Sequence, residues 1–228
     1  MTTFADNVYE IFGPLQAQHA FVPARAASGK HFASLIRRVS EDVCAYVFVH
    51  DGRASNAHLD VDLWVAPPES PDDSLDRLYV GYKLRIGSEY DVDDAFFHGC
   101  EMRIVRLLPI TTMLVPLIRD ELDSPSIRTK RWTAYRIERR VLSCVLTLAS
   151  SGDSIAVAAL EEARRTVDKV QLDSLERACR PLADALLEQR LLDVEVLAFF
   201  DGRPDSLASA VANHLYISAL GEASIAKS

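Results

Sequence analysis

Ala57-His58-Leu59-Asp60-Val61-Asp62-Leu63-Trp64-Val65 decides how this chain is read. Ala57, Leu59, Val61, Leu63 and Val65 alternate with His58, Asp60, Asp62 and Trp64. Side chains of a strand point alternately to its two faces, so the pattern sets one apolar face against one polar face. Two strand-like runs precede it, residues 31–39 and 43–50. A fourth follows at 79–86, with Val80, Tyr82, Leu84 and Ile86 facing a core and Lys83 and Arg85 facing out. Asp51-Gly52 is a turn signal between the second and third runs. Connections this short suit hairpins, so a mainly antiparallel four-stranded sheet is expected from residues 31–86.

Helices supply the cover for the apolar face. Thr3 can cap a first helix reaching to about residue 19, with Phe4, Val8, Ile11, Phe12 and Leu15 on one face. Residues 20–24 read as a short extended entry. Residues 67–76 hold Pro67, Pro68 and Pro71 among acids and read as a loop. From residue 87 the texture turns helical, with segments at 95–108, 110–122, 127–149, 154–170, 173–192 and 205–220. Pro116 and Pro181 are expected to disturb two of them. Residues 194–200 fit strand or helix, and 223–228 should fray. The fold class is therefore α+β: a sheet region over residues 1–108, then an all-helical region over 109–228.

The chain has 228 residues, 49% hydrophobic and 25% charged, which suffices for a sizeable core. A formal net charge of −8 argues against non-specific nucleic-acid binding, which needs clustered Lys and Arg; it suits a basic partner, though taken alone it more simply keeps the protein soluble. Cys44, Cys100, Cys144 and Cys179 are far apart among apolar neighbours, so buried free thiols are expected rather than zinc or disulfides. The first 18 residues carry acids and lack the basic and apolar regions of a signal peptide. The most apolar run, 104–118, is interrupted and too short to span a bilayer. A cytoplasmic location follows, with no membrane partner.

Asp60 and Asp62 are the sharpest chemical motif. Carboxylates at i and i+2 of one strand point the same way and can share a magnesium ion. In this they resemble the metal-binding strand of nucleotidyltransferase-fold enzymes. The Gly-Ser turn those enzymes carry upstream is missing, since Gly52 is followed by Arg53. The competing reading makes both aspartates outward-facing and cross-strand from Lys83 and Arg85. Six histidines show no zinc spacing, and His50 and His58 could face each other across a turn. No Gly-x-Ser-x-Gly, Walker or dinucleotide motif occurs. The Arg128–Arg140 cluster spreads over several turns and reads as a solvated helix partly paired with the chain's own acids. No catalytic residue, cofactor or metal is assigned.

As a whole, residues 1–122 resemble a bacterial domain-of-unknown-function family, number 4304. The shared order is a helix, the Ala20-Phe21-Val22-Pro23 entry, a strand ending Ile36-Arg37-Arg38-Val39, then the runs 43–50 and 59–65. That family and its neighbours recur among immunity proteins of toxin systems, which are typically small, acidic and cytosolic and cover a toxin's active surface. The resemblance implies a non-enzymatic antidote with a protein partner. The contact residues expected from the sequence are His58, Asp60, Asp62 and Trp64 on the outer sheet face. The acidic block Glu89, Asp91, Asp93 and Asp94 joins them, with a second block at 69–76. An exposed Trp would serve as an interface anchor. A nucleotidyltransferase-like enzyme and a scaffold are the rival readings.

Overall fold

The computed structural model describes residues 3–68, 81–123, 130–169, 172–189, 191–201 and 203–227. The acidic block expected at 69–76 lies outside them, as do Tyr79 and Val80. The chain falls into two compact units. One comprises Met1–Ser124 with Leu220–Ser228, and the other is Pro125–Ala219.

The first unit opens with α1 (Phe4–Ile11), held by a capping box in which Thr3 and Asp6 each accept from the other's backbone N–H. The Thr3 bond, helped by Arg25, lowers the Asp6 carboxyl. The single helix expected to residue 19 is two: α2 (Gly13–Gln18) starts anew after Phe12. Pro14 in its first turn has no N–H to continue the α1 ladder. Val8, Tyr9, Phe12 and Leu15 are nonetheless all buried.

The sheet has five strands rather than four, in the order β1 (Val22–Pro23), β2 (Phe32–Ser40), β3 (Val43–Asp51), β4 (Leu59–Ala66), β5 (Tyr82–Glu89), every pair antiparallel. The expected entry at 20–24 is the added edge strand, and Pro23 is tolerated there because an edge leaves N–H groups unpaired. The fourth expected strand is shifted towards the C-terminus. A bulge between Val61 and Asp62 resets its register: Asp62 pairs with Arg85, but Val61 pairs with Gly87. Ile86, the extra residue, is buried as the alternation expects, and Arg103 Nη1 donates to its carbonyl at 2.7 Å.

One face of the sheet carries Ala33, Leu35, Ala45, Val47, Val49, Leu59, Val61 and Leu63. It packs in one core with α1, α2, Phe21 and α3 (Asp94–Met113), which adds Cys100, Ile104 and Leu108. α3 comes so close to β5 that a Cβ on Gly87 would lie 2.7 Å from Cys100 Sγ. α4 (Val115–Asp123) follows, tied down by Arg119, which donates to Asp42 in the β2–β3 turn at 2.8 and 2.9 Å. The end of the chain belongs to this unit too. The expected fraying of 223–228 does not hold, because helix runs on to Ile225 and Ser224 is buried. Ser224 Oγ donates to Ala20 O at 2.7 Å and accepts from Arg38 N at 3.3 Å.

The second unit is helical among its described residues: α5 (Lys130–Ser150), α6 (Ser154–Thr166), α7 (Asp173–Glu188), α8 (Val194–Phe200) and most of α9 (Pro204–Ile225). Residues 194–200 are helix because Asp193 caps them, accepting from Glu195 N and Val196 N. α7 continues through Pro181. Cys144 is half-buried, unlike the other three cysteines, and burial pushes the Cys44 and Cys179 thiols up to about 12. Among the described residues no single helix is long and apolar enough to cross a membrane; α5 and α6 qualify only together, bent by 108°.

Candidate functional site

The outer face of the sheet can be written as a grid from the strand register. Across β2, β3, β4 and β5, one row is Phe32, His50, Asp60 and Ser88. The next is Ser34, Phe48, Asp62 and Arg85, and the third is Ile36, Tyr46, Trp64 and Lys83. Side chains within a row stand side by side, and diagonal neighbours remain within reach of long or aromatic groups. The third row is a closed apolar band: Ile36, Tyr46 and Trp64 are buried, and Tyr46 Oη donates to Pro67 O. Trp64, only 6% exposed, is therefore no exposed anchor.

The first two rows frame a groove of about 430 Å³ bounded by Lys30, His31, Phe32, Phe48, His50, Asp60, Asp62, Lys83 and Arg85. Its floor is acidic and its rim basic. Asp62 is 4% exposed, not the solvated residue expected, because Lys83 and the apolar third row flank it. Lys83 Nζ sits 3.1 Å from Asp62 Oδ2 and 4.9 Å from the centre of the Trp64 ring, a cation–π geometry. Arg85 lies 3.7 Å from Asp62 Oδ1 and 3.8 Å from Asp60 Oδ1, too far for hydrogen bonds. The cross-strand pairing of Asp60 and Asp62 with Lys83 and Arg85 is thus present.

Among the described residues, four buried polar atoms on this face have no hydrogen-bond partner: Ser34 Oγ, Asp60 Oδ1, Asp62 Oδ1 and Trp64 Nε1. Burial raises the Asp62 carboxyl above its ordinary range, against the pull of Lys83 and Arg85. Phe32 and Phe48 close the opposite side of the groove, their rings stacked at 6.0 Å and 28°. Among the described residues, no group of three His, Cys, Asp or Glu side chains could hold a metal ion. Asp60 and Asp62 are the carboxylates nearest to that role, and both already face cations.

The acidic block follows directly. Ser88 is opposite Asp60, and Glu89, Asp91, Asp93 and Asp94 come next, all exposed. They are not equivalent. Asp93 is the N-cap of α3, accepting from Phe96 N at 2.8 Å, so it is committed to the helix. His58 stands off the grid, 3.2 Å from Ser88 Oγ and edge-on to Tyr90. It does not face His50, whose partner is Asp60. Phe32, Phe48, His50, His31 and Lys30 are the site residues that sequence reasoning missed. A usable signal existed, since Phe32 and Phe48 fall on the same phase of their strands as the charged groups of β4.

In the second unit, the expected pairing of the arginine-rich helix is seen at Arg140, which bridges Asp193 and Glu195. Buried His214 meets Glu138 at 3.0 Å. Arg128, and the side chains of Lys130, Arg131 and Arg136, fall outside the described residues.

Residues 2–130 match the family model described as Imm25, Immunity protein 25. The match carries that name and not the number 4304 suggested by the order of elements. It spans the sheet, the groove and the acidic block. No curated protein and no solved structure matches the chain.

Proposed function

Because the chain belongs to the immunity protein 25 family, we propose that it is a cytoplasmic antidote that neutralises a cognate toxin by binding it, without catalysis. The carrying observation is that the family match covers the residues that build the outer sheet face and its acidic border. A toxin acting on nucleic acid or another phosphate-bearing substrate carries basic residues at its site. Glu89, Asp91 and Asp94 beside the groove supply a negative field that speeds encounter with such a surface. The enzymatic alternative is weaker, because Lys83 and Arg85 already stand against the two carboxylates a metal would need.

The test is a titration of the purified chain against the toxin encoded beside its gene, read as complex formation and loss of toxin activity. A tight complex with silenced toxin is the expected outcome. Reversal of Glu89, Asp91 and Asp94 to Lys should lower the association rate about tenfold and flatten its salt dependence. Asp93 is left intact so that α3 keeps its cap. Saturable magnesium-dependent nucleotide binding, lost in the Asp60→Asn, Asp62→Asn double variant, would favour the enzymatic reading instead.

A further inference from the structure

The groove holds an unmet demand that specifies its guest. Asp62 is almost wholly buried, and Lys83 takes only its Oδ2. Its Oδ1, and Oδ1 of Asp60 two residues along the same strand, are buried acceptors with no donor. Buried polar atoms are nearly always hydrogen-bonded, so each exception calls for an explanation. Both residues line the groove together with the stacked Phe32 and Phe48, and Asp62 stands directly across from Phe48.

The unmet capacity is acceptor capacity. Of the cations lining the groove, Lys30, Lys83 and Arg85, none shows a buried donor without a partner among the described residues. Lys83 is held between Asp62 and the Trp64 ring, and Arg85 is an exposed side chain standing off both carboxylates beyond hydrogen-bond range. A donor with several N–H groups in a plane could reach both carboxylates, and its flat face could lie on an aromatic ring. A guanidinium has both properties, whereas an ammonium is a point charge.

We propose that the groove receives one arginine side chain of the protein partner, its guanidinium on Asp60 and Asp62 and its stem against Phe32 and Phe48. This rests on the antidote reading for the identity of the partner, but the chemistry of the pocket can be examined alone. Arg85 gives way on entry, which an exposed side chain does without disturbing the sheet. The free acceptors thereby gain the donors they lack. The neighbouring Glu89, Asp91 and Asp94 draw the same basic surface towards the groove.

The experiment uses the full chain, isotope-labelled, titrated with N-acetyl-argininamide and separately with inorganic phosphate while backbone amide shifts are followed. Saturable shifts at Phe32, Phe48, Asp60 and Asp62 with the arginine probe are expected, and none with phosphate. Asp60→Asn and Asp62→Asn should each weaken the probe about tenfold, as loss of a charge-assisted hydrogen bond implies. Asp60, less buried than Asp62, supplies a variant that keeps the fold if Asp62→Asn does not. Saturation by phosphate, absence of arginine-driven shifts, or shifts unchanged in Asp60→Asn would overturn the proposal. A parallel titration with the neighbouring toxin separates the two claims. Wild-type chain that binds arginine but not toxin sinks the antidote reading alone. Toxin binding unaffected by Asp60→Asn sinks the groove alone.

Discussion

The two faces of one sheet are built from the same strands and differ in what they are made to do. On the inner face, the central rows Ala33–Val49–Val61 and Leu35–Val47–Leu63 are wholly apolar, and α1 and α3 pack in one core with them. The outer face changes along its length. It is as dry as a core at Ile36, Tyr46 and Trp64, and two rows later it carries Phe32, His50 and Asp60 around an open groove. Those central rows bury only hydrocarbon, and the Tyr9 hydroxyl in the same core is hydrogen-bonded to Ser28. Among the described residues, the outer face leaves four buried polar atoms unsatisfied. Such a deficit weakens the free protein, and a donor arriving from outside would remove it. On the proposed reading, stability and recognition lie on opposite phases of one alternation.

The sharpest way to break this division is from the inside. Leu63→Ala empties a fully buried position between β4 and α3 and should cost about 3 kcal/mol, read by urea unfolding. Binding by the folded fraction should be unchanged. Asp42→Asn removes the bidentate Arg119 partner, whose hydrogen bonds hold the Asp42 carboxyl at about 2. A lowered folded value means that stability is present above the ordinary carboxylate value and is lost as pH falls towards 2. The loss should be about 1–2 kcal/mol at neutral pH after allowance for solvent screening, and the variant's melting temperature should vary less between pH 4 and 2.

Asp62→Asn should change neutral-pH stability by less than about 1 kcal/mol, because it removes a desolvated charge together with its ion pair. Its pH slope has the opposite sign. A raised folded value favours the folded state at low pH, and that contribution fades as pH rises through it. Thermal melts of both aspartate variants from pH 2 to 7 would show the two slopes diverging. The smallest stability effect belongs to Glu89→Lys, Asp91→Lys and Asp94→Lys, all exposed, at about 0.5 kcal/mol or less. A large loss there would mean that the acidic border is structural, and the contrast between the faces would blur.

Some of this was legible without coordinates. The alternation through β4 placed Asp60 and Asp62 on one face and opposite Lys83 and Arg85, and the ion pairs follow from it. β3 held a further clue in Val43-Cys44-Ala45-Tyr46-Val47-Phe48-Val49. A strand apolar on both phases is covered on both faces, which suits the burial of Tyr46. Hidden from the sequence were the two-residue β1, too short for any periodicity, and the bulge at Asp62, whose position depends on the partner strand.

The amino-acid sequence by itself determined which residues share a face, because the geometry of an extended backbone repeats every two residues whatever surrounds it. It likewise determined where the first helix starts, through the local cap Thr3. Only the tertiary structure decided depth: that Trp64 and Asp62 lie buried while His50 stays open, that Ser224 is tied to Ala20 and Arg38, and that two phenylalanines from different strands stack beside two aspartates. Depth is set by what packs on a face from far away in the chain, and no local repeat encodes that.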